Sequence, residues 1–248
     1  MTPDRIPHTI HYCWFGGKPL PPSALRCIDS WRRHLPGFEI REWNENNYPV
    51  GAVRYTAQAA ERGKWAFVSD YARFDIIHRH GGVYFDTDVE LIASPEAIIE
   101  AGAFMGWEKS HTSIGINCGL GMGAPVGMSV YDEILDYYRR SDFVDAMGRQ
   151  LPGTVVAYVT GIMLSHGLRL ENTRQHVAGV EIYPSEYFCP LEDATGRLTI
   201  TPNTVSIHHY DKTWCDNYGP MRTQVMRFIH RCLGVDLTAR LAKLIGRR

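Results

Sequence analysis

The segment HRHGGVYFDTDVELI (78–92) places Asp86, Asp88 and Glu90 on alternate positions of a stretch otherwise built like a buried strand. Strand side chains alternate faces with period 2, so Val83, Phe85, Thr87, Val89 and Leu91 share one face and Tyr84, Asp86, Asp88 and Glu90 the other. Asp is depleted in strands and like charges on one face repel, so the acid row needs compensation. Two carboxylates at i and i+2, converging at a strand end, suit a hard divalent cation such as Mg²⁺ or Mn²⁺. A cation held there can carry a diphosphate and neutralise its charge as it leaves. The alternative is a solvent-facing edge with incidental acids; the capped helix and the Gly81-Gly82 turn that precede the strand argue against it. Those glycines lack Cβ atoms and so let a ligand approach the backbone. Glu90 falls outside the Asp-x-Asp spacing and is expected to be structural or solvent-facing.

Other residues can join the acids. Asp70 and Arg73 are spaced i, i+3 on one face of the helix that runs into this strand; the alternative is a surface ion pair. Trp14 ends an apolar strand beside glycines, where it can stack on a nucleobase or simply fill core. In SIHHYDKTW (206–214), His208, His209, Asp211 and Lys212 follow a strand. An imidazole there can complete a metal site and Lys212 can meet phosphate as a point charge. Glu108 ends another strand as a candidate carboxylate or an ordinary strand-end acid.

These residues need a scaffold, and the coarse pattern supplies one. Strands are expected at 8–14, 38–43, 83–91, 103–108, within 115–124, at 180–184 and at 205–210. Helices are expected at 23–35, near 50–62, at 68–80, near 127–140 and near 154–166. Ser69 is the expected N-cap of the 68–80 helix, whose basic last turn stops at Gly81-Gly82. Alternation of this kind argues for an α/β fold with a mostly parallel central sheet flanked by helices. Ligands of such sheets bind beyond the carboxyl ends of the strands, which is where Asp86 and Asp88 fall.

The bulk numbers narrow the classes. The 248 residues are 44% apolar, enough for one large domain. A net charge of -1 gives no general attraction to nucleic acid. Six scattered cysteines without a CxxC pair argue against a cysteine zinc site and for a reducing cytosol. The first residues lack a charged-then-apolar leader, and no apolar run reaches membrane-spanning length.

The motifs IPHTIHYCWFGG (6–17), SDYARFDIIHRHGGVYFDTD (69–88) and IHHYDKTW (207–214), in this order, resemble glycosyltransferase family 32. This group of DxD-containing sugar transferases includes bacterial capsular polysaccharide enzymes and yeast initiating mannosyltransferases. The pattern S-D-x-x-R then G-G-x-Y-x-D-x-D is also similar to the glucosyltransferase domains of large clostridial toxins. The resemblance implies a GT-A fold, a nucleotide-sugar donor, a divalent metal (usually Mn²⁺) and retention of anomeric configuration. It implies that Trp14 stacks on the base, that Asp70 and Arg73 contact the donor sugar, and that Tyr84 contacts ribose or sugar. Asp86 would contact ribose and, directly or through water, the metal; Asp88 would be the direct metal ligand. One of His208 and His209 would be a late metal or diphosphate contact. Trp214 matches the tryptophan of the family's late H-x-x-x-S-W ending, with Thr213 where Ser is usual. Asn117 lies where relatives have a sugar-contacting Asn. TGI at 160–162 stands where relatives carry Thr-Gly-Pro.

The expected activity is transfer of a hexose, from a UDP-sugar rather than GDP-mannose, to a glycan or lipid-linked saccharide in bacterial surface polysaccharide synthesis. Two other readings compete. A haloacid dehalogenase-like phosphatase also places DxD after an apolar strand, but it wants Thr or Val where Glu90 stands, and a later acid pair for which Glu192-Asp193 is the candidate. A non-catalytic nucleotide-sugar-binding module would share the fold. The chain divides into an expected transferase domain, 1–220, and a basic amphipathic helical segment, 221–248. Residues 222–248 hold seven Arg or Lys and one acid. Such a segment either lies on the anionic inner face of the cytoplasmic membrane or packs on the domain with its basic face solvated.

Overall fold

A computed structural model describes residues 5–111, 113–211, 220–235 and 237–238. In chain order the elements are β1 (Thr9–Cys13), α1 (Pro22–His34), β2 (Glu39–Trp43), α2 (Arg54–Ala60), α3 (Trp65–His80), β3 (Gly82–Tyr84), β4 (Val89–Leu91), α4 (Glu96–Ala101), β5 (Phe104–Lys109) and β6 (Ile114–Ile116). They continue with β7 (Met122–Ala124), α5 (Ser129–Arg140), α6 (Val155–Ser165), β8 (Gln175–Val177), β9 (Val180–Tyr183), α7 (Ser185–Phe188), β10 (Leu191–Glu192), β11 (Arg197–Leu198), β12 (Ser206–His208) and α8 (Pro220–Leu233).

The main sheet runs β2-β1-β3-β7-β5-β9-β8, with β6 added to β5. β2, β1 and β3 are parallel, as are β5 and β9; β7 joins the two groups antiparallel to both. Period-2 alternation buries both faces. Ile10, Tyr12, Val83, Phe85 and Phe104 pack on one side with Trp31 of α1, Ile98 and Ile99 of α4 and Phe188 of α7. Cys13, Tyr84, Met105, Trp107 and Met122 pack on the other with α2, α3, α5 and α6. This is the helix-flanked α/β sheet that the alternating sequence pattern calls for.

Three local expectations change. The 83–91 strand is broken. Asp86 N–H donates to the Gly119 carbonyl and Val89 N–H to the Asp86 carbonyl, so the chain turns at 85–88 and β4 leaves the main sheet to pair with β12. The apolar alternation survives the break, because Val83, Phe85, Val89 and Leu91 stay in one core. Second, Ser69 is not an N-cap. The helix begins at Trp65, after Gly63 at φ 64°, and Ser69 Oγ donates back to the Trp65 carbonyl from inside it. Third, Gly81 and Gly82 face their own chain rather than a ligand. A Cβ on Gly81 would lie 2.7 Å from Pro7, and one on Gly82 2.6 Å from the Thr9 carbonyl oxygen and 2.9 Å from His11. Both have positive φ, which glycine alone adopts cheaply, so the turn is required by packing against β1. The Thr160-Gly161-Ile162 variant lies inside an unbroken α6, where Thr160 Oγ1 accepts from Ile116 N–H.

Candidate active site

The topology brings distant residues to one edge. β1 and β3 are parallel neighbours, so their carboxyl ends deliver Trp14 and the 85–88 turn to the same side. β7 is antiparallel to β3, so the loop preceding it, with Gly119, runs beside that turn. β12 sets His208 opposite Val89, which places the imidazole next to Asp88. α1 anchors β4 from behind: Trp31 Nε1 donates to the Val89 carbonyl and Ser30 Oγ accepts from Leu91 N–H.

Asp86, Asp88 and His208 offer ligand atoms that all lie within 4.8 Å of one another. Asp88 Oδ1 meets His208 Nε2 at 3.2 Å, and Asp88 Oδ2 accepts from Asp211 N–H at 3.0 Å. Burial alone would raise the Asp88 carboxyl, but the imidazolium and the Asp211 N–H outweigh it and hold the group down at about 2. Burial would likewise lower His208; the Asp88 charge and hydrogen bond, then Asp86 and Glu108, push it up to about 9. The other ring nitrogen, Nδ1, is buried and has no hydrogen-bond partner among the described residues. A mixed set of two carboxylates and one imidazole fits a divalent ion of the Mg²⁺–Mn²⁺ kind, the nitrogen favouring the latter.

Behind the acids lies a buried counter-charge. Arg73, 5% exposed, sits 3.0 Å from Asp70 and 3.3 Å from Asp86, donates to the Ser69 carbonyl and lies over the Tyr84 ring. It is the buried cation that offsets Asp70 and Asp86, while His208 faces Asp88 and His209 faces Glu90. Burial pushes the Asp70 carboxyl up to about 6 despite Arg73, with Asp86 adding to the rise. Tyr84 is fully buried and donates its hydroxyl to Asp86, so it reaches the site through that carboxylate. Trp14 is half-buried after β1, its indole N–H given to the Lys18 carbonyl.

Asn117 and Glu108 form the opposite rim. Asn117 donates to Glu108 Oε2 and accepts from Gly119 N–H; Glu108 Oε1 accepts from Tyr210. The Tyr210 ring lies 4.2 Å from that of His208, so Glu108 is linked to both ends of the Asp86–His208 group. His209 is directed elsewhere: its Nε2 meets Glu90 at 2.9 Å, so of the two imidazoles His208 joins the carboxylates. Lys212, Thr213 and Trp214 lie outside the described residues. Two contributors escape a sequence reading. Gly119 abuts Asp86 so closely that a Cβ would fall 2.0 Å from Oδ2; the signal for it is Asn117-x-Gly119, a turn pattern inside a glycine-rich run that also reads as strand. Tyr210 adopts φ 57°, unusual for a non-glycine, and nothing in its sequence setting marks it.

Comparison with known proteins bears on this arrangement. Residues 21–105 match the family described as "Glycosyltransferase sugar-binding region containing DXD motif". A search of curated protein sequences finds no match. Among solved structures the chain is similar to the PaToxG glycosyltransferase (14% identity, 66% of this chain and 71% of that one, TM-score 0.48). It is also similar to a glycosyltransferase involved in glycosylation of the major capsid of PBCV-1 (9%, 88% and 98%, 0.46). A third is the galactosyltransferase LgtC in complex with donor and acceptor sugar analogs (12%, 89% and 95%, 0.42). The matched segment spans α1 to the start of β5 and contains the acid turn, Asp70 and Arg73. The helix-flanked α/β fold thus carries, at residues 21–105, a match to a glycosyltransferase sugar-binding region containing a DXD motif.

Proposed function

We propose that the chain is a metal-dependent retaining hexosyltransferase of the family 32 type, using a nucleotide-diphosphate sugar, UDP-linked in preference to GDP-linked. The observation that carries this reading is the convergence of Asp86, Asp88 and His208 beside the buried Arg73–Asp70 pair. Mn²⁺ or Mg²⁺ on those three side chains would neutralise the diphosphate, which accumulates charge as the sugar departs. The protein's own residues orient the donor. Trp14 offers a ring face to the base, Asp70 and Arg73 meet the sugar, and Asn117 lies across from them. Tyr84 fixes the Asp86 carboxylate, Lys212 is the point charge for phosphate, and Trp214 is counted among the donor-binding residues. The acceptor hydroxyl attacks from the face the leaving group departs, and the leaving phosphate takes its proton. The acceptor is a glycan or a lipid-linked saccharide in bacterial surface polysaccharide synthesis, and the enzyme works at the inner face of the cytoplasmic membrane with peripheral contact through 222–248.

A thermal-shift screen of nucleotide sugars with and without Mn²⁺ tests the donor reading. Stabilisation should follow ligand affinity, require the metal and vanish in Asp88→Ala. Metal-independent stabilisation without hydrolysis or transfer would instead make the chain a binding module. Release of phosphate from simple phosphomonoesters would favour phosphatase chemistry, against which Asp193 already stands committed to Arg227.

A further inference from the structure

Helix α8 is amphipathic in the reverse of the usual sense. A surface helix normally turns its apolar stripe to the core and its charges to water. Here the polar side chains face the protein. Arg227 Nε donates to the Asp193 carbonyl at 3.0 Å, Arg231 Nε to the Thr195 carbonyl at 2.6 Å, and His230 Nδ1 meets the Ala194 carbonyl at 2.8 Å. All three acceptors lie in the turn joining β10 to β11. Arg227 packs so tightly there that a Cβ on Gly196 would lie 2.7 Å from its Cδ. These hydrogen bonds fix the rotation of the helix about its own axis.

The opposite side is apolar and open. Phe228 is 65% exposed, Val225 52% and Leu233 50%, with Met226 and, beyond the helix, Leu237 also exposed. At about 100° per residue Val225, Phe228 and Leu233 cluster on the side away from Arg227, His230 and Arg231, with Met226 at its margin. A run of exposed large apolar side chains on one face marks an interaction surface. Among the described residues of the helix, Arg227 and Arg231 are turned to the β10–β11 carbonyls rather than to this face. The sequence after Asp236 supplies cations: Arg240, Lys243, Arg247 and Arg248, with no acid. An apolar face followed by a basic segment complements acyl chains under anionic headgroups. A second copy docked on the same face would bring the two basic segments together at a repulsive cost.

We propose that the outward face of α8, centred on Val225, Phe228 and Leu233, is the surface on which the chain lies against an anionic lipid bilayer. This deepens the peripheral contact proposed above and rests on it, independently of the donor chemistry. The full chain would be co-sedimented with vesicles of phosphatidylcholine alone and of phosphatidylcholine mixed with phosphatidylglycerol. Partitioning to the mixed vesicles should exceed that to the neutral ones by about ten-fold or more and fall with added salt. The pair Val225→Ser and Phe228→Ser should lower it about ten-fold, while the thermal midpoint stays that of the parent because both side chains are exposed. Binding retained in Asp88→Ala supports the surface whether or not transfer occurs. A parent chain that sediments with neither vesicle, a serine pair that binds as well as the parent, or a dimer in sedimentation velocity that the serine pair dissociates would each overturn the proposal.

Discussion

Asp88 and His208 meet at 3.2 Å although one lies in the turn after β3 and the other at the end of β12. The β4–β12 ladder sets this distance: with Val89 opposite His208, that imidazole is the one paired with Asp88 among the described residues, and the next residue, His209, points to Glu90. The two histidines therefore make separable predictions. His208→Ala should weaken Mn²⁺ binding by more than the about 10–100-fold typical of losing a ligand's supporting partner. His209→Ala breaks a half-exposed pair worth about 0–1 kcal/mol and should leave Mn²⁺ affinity within about two-fold. Calorimetric titration of both variants checks this; equal losses would mean that His209 also reaches the ion.

Gly119 offers a test by shape alone. Gly119→Ala adds one methyl with no charge, at a position outside the positive-φ glycines, so the backbone tolerates it. Its Cβ would fall 2.0 Å from Asp86 Oδ2, and the carboxylate has to move. We expect metal affinity and transfer to drop about ten-fold or more, with the far-ultraviolet circular dichroism of the parent retained. Parent-like activity would show that the Asp86 position does not matter to the chemistry.

The acid turn, Asp70 and Arg73 were legible in the sequence because their spacing is local: i, i+2 on the turn and i, i+3 on α3. The helix stop at Gly81 was legible for the same reason, yet its purpose was not. A sequence shows that glycine permits close approach but not what approaches, and here it is Pro7, Thr9 and His11. The break between β3 and β4 depends on a hydrogen bond from Asp86 to Gly119, and the Glu108–Tyr210 link joins residues far apart in the chain. Pairings of that range leave no periodicity to read. The sequence pattern of α8 showed an amphipathic helix, but which side meets the protein is decided by the carbonyls of the β10–β11 turn.

Arg73 should dominate the stability of the site. Its guanidinium is 5% exposed between Asp70 and Asp86, and Arg73→Met would leave two carboxylates facing each other without their cation. Removing one partner of a buried ion group costs about 3–5 kcal/mol. Urea unfolding near pH 8, where the Asp70 carboxyl with its pKa of about 6 is ionised, should show that loss. A deficit under about 1 kcal/mol would mean that water already screens the group.

His11 predicts the acid limb of the stability profile. The ring is 1% exposed; its Nδ1 accepts from Trp43 Nε1 and its Nε2 bonds to the Gly81 carbonyl, both at 3.0 Å, which fixes the neutral form with the proton on Nε2. Burial pulls the pKa down from 6.5 to about 4, helped by the Arg41 and His80 charges and only partly opposed by the Gly81 bond. A histidine whose folded pKa is depressed contributes stability that is full above 6.5 and is lost as the pH falls towards 4, because the unfolded chain takes the proton first. At about 1.36 kcal/mol for each pH unit, the loss across that window comes to about 3 kcal/mol. In His11→Gln the titration is gone. Its unfolding free energy should therefore fall about 3 kcal/mol less than the parent's between about pH 7 and pH 4, whatever the carboxylates contribute equally to both. Parallel profiles from urea titrations at each pH would show that the imidazole is protonated in the folded chain, and that the hydrogen bond from Trp43 does not hold it neutral.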